Sequence, residues 1–175
     1  MKQNMIKWLG LALLMMSMQV VVAQKVPKMD KSPADISYMR AGGETVAKVV
    51  YGRPQMNDRE IFGKLVKYDK VWRTGANEAT EIQFFQDVKL GGKMVEAGTY
   101  TLFTIPGESE WQIILNSDLN QWGAYRHKKE NDVYTVSVPS GSTDETIESM
   151  AIFFDKDNLY IGWANTLVSV SVEPQ

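Results

Sequence analysis

From residue 35 onward, apolar side chains recur at every second position, and β-branched and aromatic residues are broken at short intervals by Gly, Asn and Asp. A period of two, not 3.6, predicts strands with one face buried. Ile36 to Arg40 and Glu44 to Tyr51 form a hairpin across Gly42-Gly43, and Val88 to Leu90 and Lys93 to Val95 form another across Gly91-Gly92. Glycine tolerates the positive φ that such tight turns require. Thr80 to Gln86, Thr99 to Ile105, Trp111 to Leu115 and Val133 to Val138 read as further strands. Thr99 to Ile105 carries apolar groups on both faces, as a central, well-covered strand does. Glu148 to Phe154, Leu159 to Trp163 and Leu167 to Val172 complete the pattern, with turns expected at Asp155 to Asn158 and at Ala164 to Thr166.

Two stretches break the rhythm. Asn57 to Leu65 reads as one short helical turn, with Asn57 or Asp58 as its cap and Gly63 as its stop. Asn116 to Tyr125 reads as a long irregular loop. About nine short antiparallel strands must cover their apolar faces, and two sheets packed face to face do so at this length. The expected fold is therefore all-β, an antiparallel β-sandwich of jelly-roll or Greek-key type, with an open barrel as the alternative.

The N-terminus adds a compartment. Lys2 and Lys7 precede an apolar run from Trp8 to Met16, and Val21-Val22-Ala23 offers short side chains to a signal peptidase. Residues 1–23 are thus expected to be a removable signal peptide, residues 24–34 a flexible lead-in containing Pro27 and Pro33, and residues 35–175 a single domain. The run is interrupted by Ser17 and Gln19 and is short for a membrane span, so the mature protein is expected in the periplasm or outside the cell, with no stable membrane insertion after cleavage.

Composition narrows the chemistry. The 175 residues leave room for one domain, and their 44% hydrophobic content supports a packed core. A formal net charge of −2 gives no handle on phosphate backbones, which argues against nucleic acid as a partner. With no cysteine there are no disulfides, thiolate metal sites or thiol nucleophiles.

Several long motifs resemble an exported bacterial family defined only as domain-of-unknown-function family 2911. They are Tyr51-Gly-Arg-Pro54, Arg59-Glu-Ile-Phe-Gly63, Val71-Trp-Arg-Thr-Gly-Ala-Asn-Glu-Ala-Thr80, Gly98-Thr-Tyr-Thr-Leu-Phe-Thr-Ile-Pro106 and Gln121-Trp-Gly-Ala-Tyr125. The resemblance implies secretion and a β-rich fold. It implies no catalytic residue.

Candidate ligand-binding chemistry concentrates in two segments. Trp72, Arg73 and Asn77 join an aromatic, a guanidinium and an amide through a glycine turn, although Trp72 filling core, Arg73 pairing with Glu78 or Glu81 and Asn77 closing a turn is the favoured account of them. Gln121, Trp122 and Tyr125 crowd amide and aromatic groups into the long loop, suited to a glycan or another small polar ligand, or to packing the loop down. No cofactor is expected. Asp118 with Asn120, and Asp155, Asp157 with Asn158, fall short of a calcium loop, and Asx turns explain them. His127, the only histidine, sits in the basic run Arg126 to Lys129 and reads as solvated surface.

The resulting expectation is a non-catalytic envelope binding module. One alternative is a glycosidase-like hydrolase using two of Glu78, Glu81, Asp87 and Glu96. The other is a structural envelope component.

Overall fold

The computed structural model describes residues 24–175, so the expected signal peptide lies outside the described residues. Ten strands follow in order: β1 (Ala34–Ala41), β2 (Glu44–Gly52), β3 (Glu81–Phe84), β4 (Val88–Leu90), β5 (Lys93–Val95), β6 (Gly98–Ile105), β7 (Glu110–Asn116), β8 (Asp132–Pro139), β9 (Gly141–Asp155) and β10 (Asn158–Pro174). They build two antiparallel sheets, one ordered β1-β2-β3-β6-β7-β8 and one ordered β5-β4-β10-β9. The sheets form a sandwich and not a closed barrel.

The two glycine hairpins fall where the turn chemistry requires them, with Gly42, Gly43, Gly91 and Gly92 all at positive φ. Alternate residues of β2, β3, β6, β7 and β10 meet between the sheets, where Val49, Ile82, Leu102, Ile113, Leu115, Val168 and Val172 are fully buried. Phe62, Trp72, Trp111 and Trp163 close one region of this core as an aromatic cluster: Trp72 stacks on Trp163 at 6.0 Å, and Phe62 meets Trp111 edge-on at 5.0 Å.

Three local expectations are corrected. Asn57 to Leu65 forms no helix; Asn57 and Asp58 both have left-handed φ, which no right-handed helical turn accommodates. Instead Glu148 of β9 receives the Met56 N–H on its backbone oxygen and the Asn57 N–H on its side chain, each at 2.8 Å. Ala164 to Thr166 does not end a strand: β10 runs through it, with Ala164 at φ 52° and register shifts on either side. Finally β9 begins at Gly141, well before Glu148, through a polar stretch with no apolar alternation.

The outer face of the six-stranded sheet carries a second, smaller core. Phe103 of β6 and Ile114 of β7 point away from the other sheet and are covered by Ala79, with Val71, Ile105 and Ala124 packed around them. The cover consists of two loops, 69–80 and 117–131, and it ends before β1.

Candidate functional site

Where the cover stops, a cleft opens. Val49 is buried between the sheets, so its neighbour Val50 faces outward, and the register sets Val50 opposite Ile36 on β1 and Glu81 on β3. Ala34, Val50, Gly52 and Glu81 contribute to a cleft of about 530 Å³ that is also lined by Asn77, Ala79, Asn120 and Trp122. That volume falls within the range of small-molecule sites.

One wall is the seam between the covering loops. Glu78 and Trp122 form an antiparallel bridge, flanked by Ala79 N–H donating to the Gln121 carbonyl at 2.8 Å and Gly123 N–H donating to the Asn77 carbonyl at 3.1 Å. The left-handed φ of Asn77 and Asn120 turns both loops into this pairing. Glu81 draws the loop inward by accepting the Asn120 N–H at 2.8 Å. Trp122 is thereby fixed through its backbone while its side chain remains 61% exposed.

The opposite wall is the segment before β1. Asn77 Nδ2 donates to Asp30 Oδ1 at 3.0 Å and approaches the Ser32 carbonyl at 3.5 Å, and Ser32 N–H donates to the same Asp30 oxygen at 2.7 Å. These hydrogen bonds, from Ser32 first and Asn77 second, hold the Asp30 carboxyl below its ordinary pKa. Part of the stretch read as flexible lead-in is therefore ordered against the site.

The turn beneath explains two of the sequence motifs together. Gly75 packs on Gly52, where a Cβ would lie 2.9 Å from the Gly52 carbonyl oxygen, and Ala76 N–H donates to that oxygen at 3.1 Å. Only glycine allows the backbones this approach. Buried threonines lock the same turn: Thr80 Oγ1 donates to the Thr74 carbonyl at 2.7 Å, and the Thr74 and Thr104 hydroxyls meet at 3.1 Å.

Of the six residues singled out in the sequence, the fold brings Asn77 and Trp122 into the cleft. Gln121, Trp122 and Tyr125 share an adjoining groove of about 420 Å³ with Leu119, Asn120 and Arg126, where Gln121 Oε1 is buried without a hydrogen-bond partner and Tyr125 is 84% exposed. Trp122 borders both. Trp72 and Arg73 line neither: Trp72 belongs to the inter-sheet aromatic cluster, and Arg73 Nε donates to the Gly75 carbonyl at 3.1 Å, bracing the turn rather than pairing with Glu78 or Glu81. Asp30, Ser32 and the floor residues Val50 and Gly52 escaped the sequence reading. The motif Tyr51 to Pro54 was the available signal, since its glycine serves the turn that shapes the cleft.

The solvated reading of His127 is corrected as well. His127 Nε2 lies 2.8 Å from Asp132 Oδ1, both side chains are 11% exposed, and the imidazole sits edge-on to Phe103 at 5.0 Å. Asn116 Nδ2 donates to the same Asp132 oxygen and to the Lys128 carbonyl, while Asn131 Nδ2 donates to Asp118 Oδ2. This network ties down the 117–131 loop that carries Trp122.

Fold and cleft together define a two-sheet antiparallel β-sandwich whose outer face is half covered by loops. The chain belongs to the family described as "Protein of unknown function (DUF2911)", which matches over residues 32–172 and so begins at Ser32 in the cleft wall. No curated protein and no solved structure matches the chain.

Proposed function

We propose that this protein is an exported, non-catalytic binding module that takes a small polar ligand, a glycan being one class, in the cleft beside Trp122. The observation that carries the reading is an indole left 61% exposed, on a loop pinned by backbone pairing, at the edge of a preformed cleft. Large exposed aromatics beside convergent polar groups favour ligand surfaces over packing. Export rests on the charged, apolar and short-side-chain succession of residues 1–23.

The test is the thermal midpoint of the mature chain against neutral oligosaccharides and short peptides, because a ligand preferring the native state raises it. A rise that disappears in Trp122→Ala supports the cleft; a rise that survives both Trp122→Ala and Asn120→Ala removes the ligand from it.

A second reading, a two-carboxylate hydrolase, draws support from Asp30, Glu78 and Glu81 lining one cleft. Against it, Asp30 is shifted downward, the opposite direction from a general acid. Release of nitrophenol from aryl glycosides, lost in both Glu78→Gln and Glu81→Gln, would favour it over simple binding.

A further inference from the structure

The cleft's charge is one-sided. Its lining includes three carboxylates, Asp30, Glu78 and Glu81, and no Lys, Arg or His. Among the described residues the ion pairs are Arg53 with Asp35 and His127 with Asp132, so none of the three is held in an ion pair; the nearest groove cation, Arg126, lines the adjoining groove and not this cleft. Asp30 and Glu81 receive hydrogen bonds from Ser32, Asn77 and Asn120, which orient them without cancelling their charge. Asn77 and Asn120 thus spend donors on holding the acids in place.

Carboxylates facing a half-enclosed space with low-dielectric walls focus negative potential there. At its border stands Trp122, and an indole face is the strongest aromatic partner for a cation. Acids and an exposed indole both complement a positively charged N–H or N–CH₃ group. An anionic ligand would meet repulsion from all three carboxylates, and a neutral glycan would leave their charge unanswered. Divalent metal is a poorer match, because among the described residues no three His, Cys, Asp or Glu side chains stand close enough to share an ion.

Building on the binding reading above, we propose that the ligand is an organic ammonium, a small molecule or sugar carrying a protonated or quaternary amine, held by Glu78 and Glu81 with its charge against the Trp122 face. Asp30 contributes field from the opposite wall.

Two matched pairs of probes test this by calorimetric titration of the mature chain: choline against its uncharged isostere 3,3-dimethylbutanol, and the glucosamine tetramer, at a pH where its amines are protonated, against its N-acetylated form. The expected result is that the charged member of at least one pair binds on the order of 10-fold more tightly than its neutral counterpart, that Trp122→Ala removes a comparable factor, and that raising the salt weakens the charged member alone. The double variant Glu78→Gln with Glu81→Gln should abolish the preference. Both positions line the cleft at the surface, and an unchanged thermal midpoint without ligand verifies that the fold is intact. Equal binding within both pairs, still sensitive to Trp122→Ala, overturns the ammonium assignment and leaves the cleft as a neutral-ligand site. No binding by any of the four overturns it too, and the neutral panel described above then decides the cleft reading independently.

Discussion

β7 presents two neighbouring isoleucines to two different interiors. Ile113 is fully buried between the sheets, among strands that fix its surroundings from both sides. Ile114 is 2% exposed on the outer face, under loops held by polar bonds. Their burial is nearly equal, yet the structures above them differ in kind: one is a sheet, the other is two irregular segments joined at the Glu78–Trp122 bridge, one of them tied down by Asn116, Asp118, His127, Asn131 and Asp132. Equal burial does not imply equal rigidity.

The sharpest way to break that comparison is to truncate both. Ile113→Ala should cost about 4 kcal/mol of unfolding free energy and Ile114→Ala about 2 kcal/mol, because a loop cover can settle into the vacated space and a facing sheet cannot. Denaturant midpoints would measure both; equal losses would show the cover to be as rigid as the sheet. Asn116→Ala should follow at about 1 to 3 kcal/mol, since the fully buried Asn116 amide is lost and the part-buried Asp132 oxygen and the Lys128 carbonyl are left short of a donor. Its signature in hydrogen exchange is faster opening of residues 117–127 with β2 and β10 unchanged.

Alkali acts on the other region. Burial is the leading cause raising the pKa of Tyr51, Tyr100 and Tyr134 above the ordinary 10.0, and all three belong to or pack against the inter-sheet core. Below pH 10 these phenols are neutral in both the folded and the unfolded chain, so the stabilisation is fully present. As pH rises through the unfolded value of 10.0 toward the folded ones, the unfolded chain loses protons first and stability falls. Urea midpoints between pH 9 and 11 should decline, and Tyr51→Phe should flatten the decline. The smallest effect is expected at the site: Trp122→Ala should alter stability by no more than about 0.5 kcal/mol, because its exposed indole supports ligand rather than fold.

The same contrast explains what the sequence made legible. Period-two alternation reports a face buried against a sheet, so β2, β6 and β7 were readable, as was the double-sided burial of β6. Gly42-Gly43 and Gly91-Gly92 located their hairpins because local turn chemistry decides them. The polar start of β9 was not readable, since Gly141 to Ile147 pairs along β10 with side chains largely in solvent and nothing in its pattern alternates. Ala164 mimicked a turn because a bulge and a turn share the same local signs. His127 looked solvated because its partner Asp132 lies beyond a run of lysines, and only the fold of the loop brings them together. For the site, Trp122 and Asn77 were legible as unusual polar and aromatic company. Asp30 was not, because a Pro-flanked charged stretch carries no trace of the Asn77 amide that captures it.

That capture has a practical consequence. A chain trimmed to its first strand at Ala34 would retain every strand of both sheets, yet would lack Asp30 and Ser32 and leave the cleft open on one side. An affinity tag fused immediately ahead of Ser32 would sit at the mouth of the same cleft. Ligand screens are therefore best run on protein whose residues 24–33 are native and whose tag is at the other end, after Gln175.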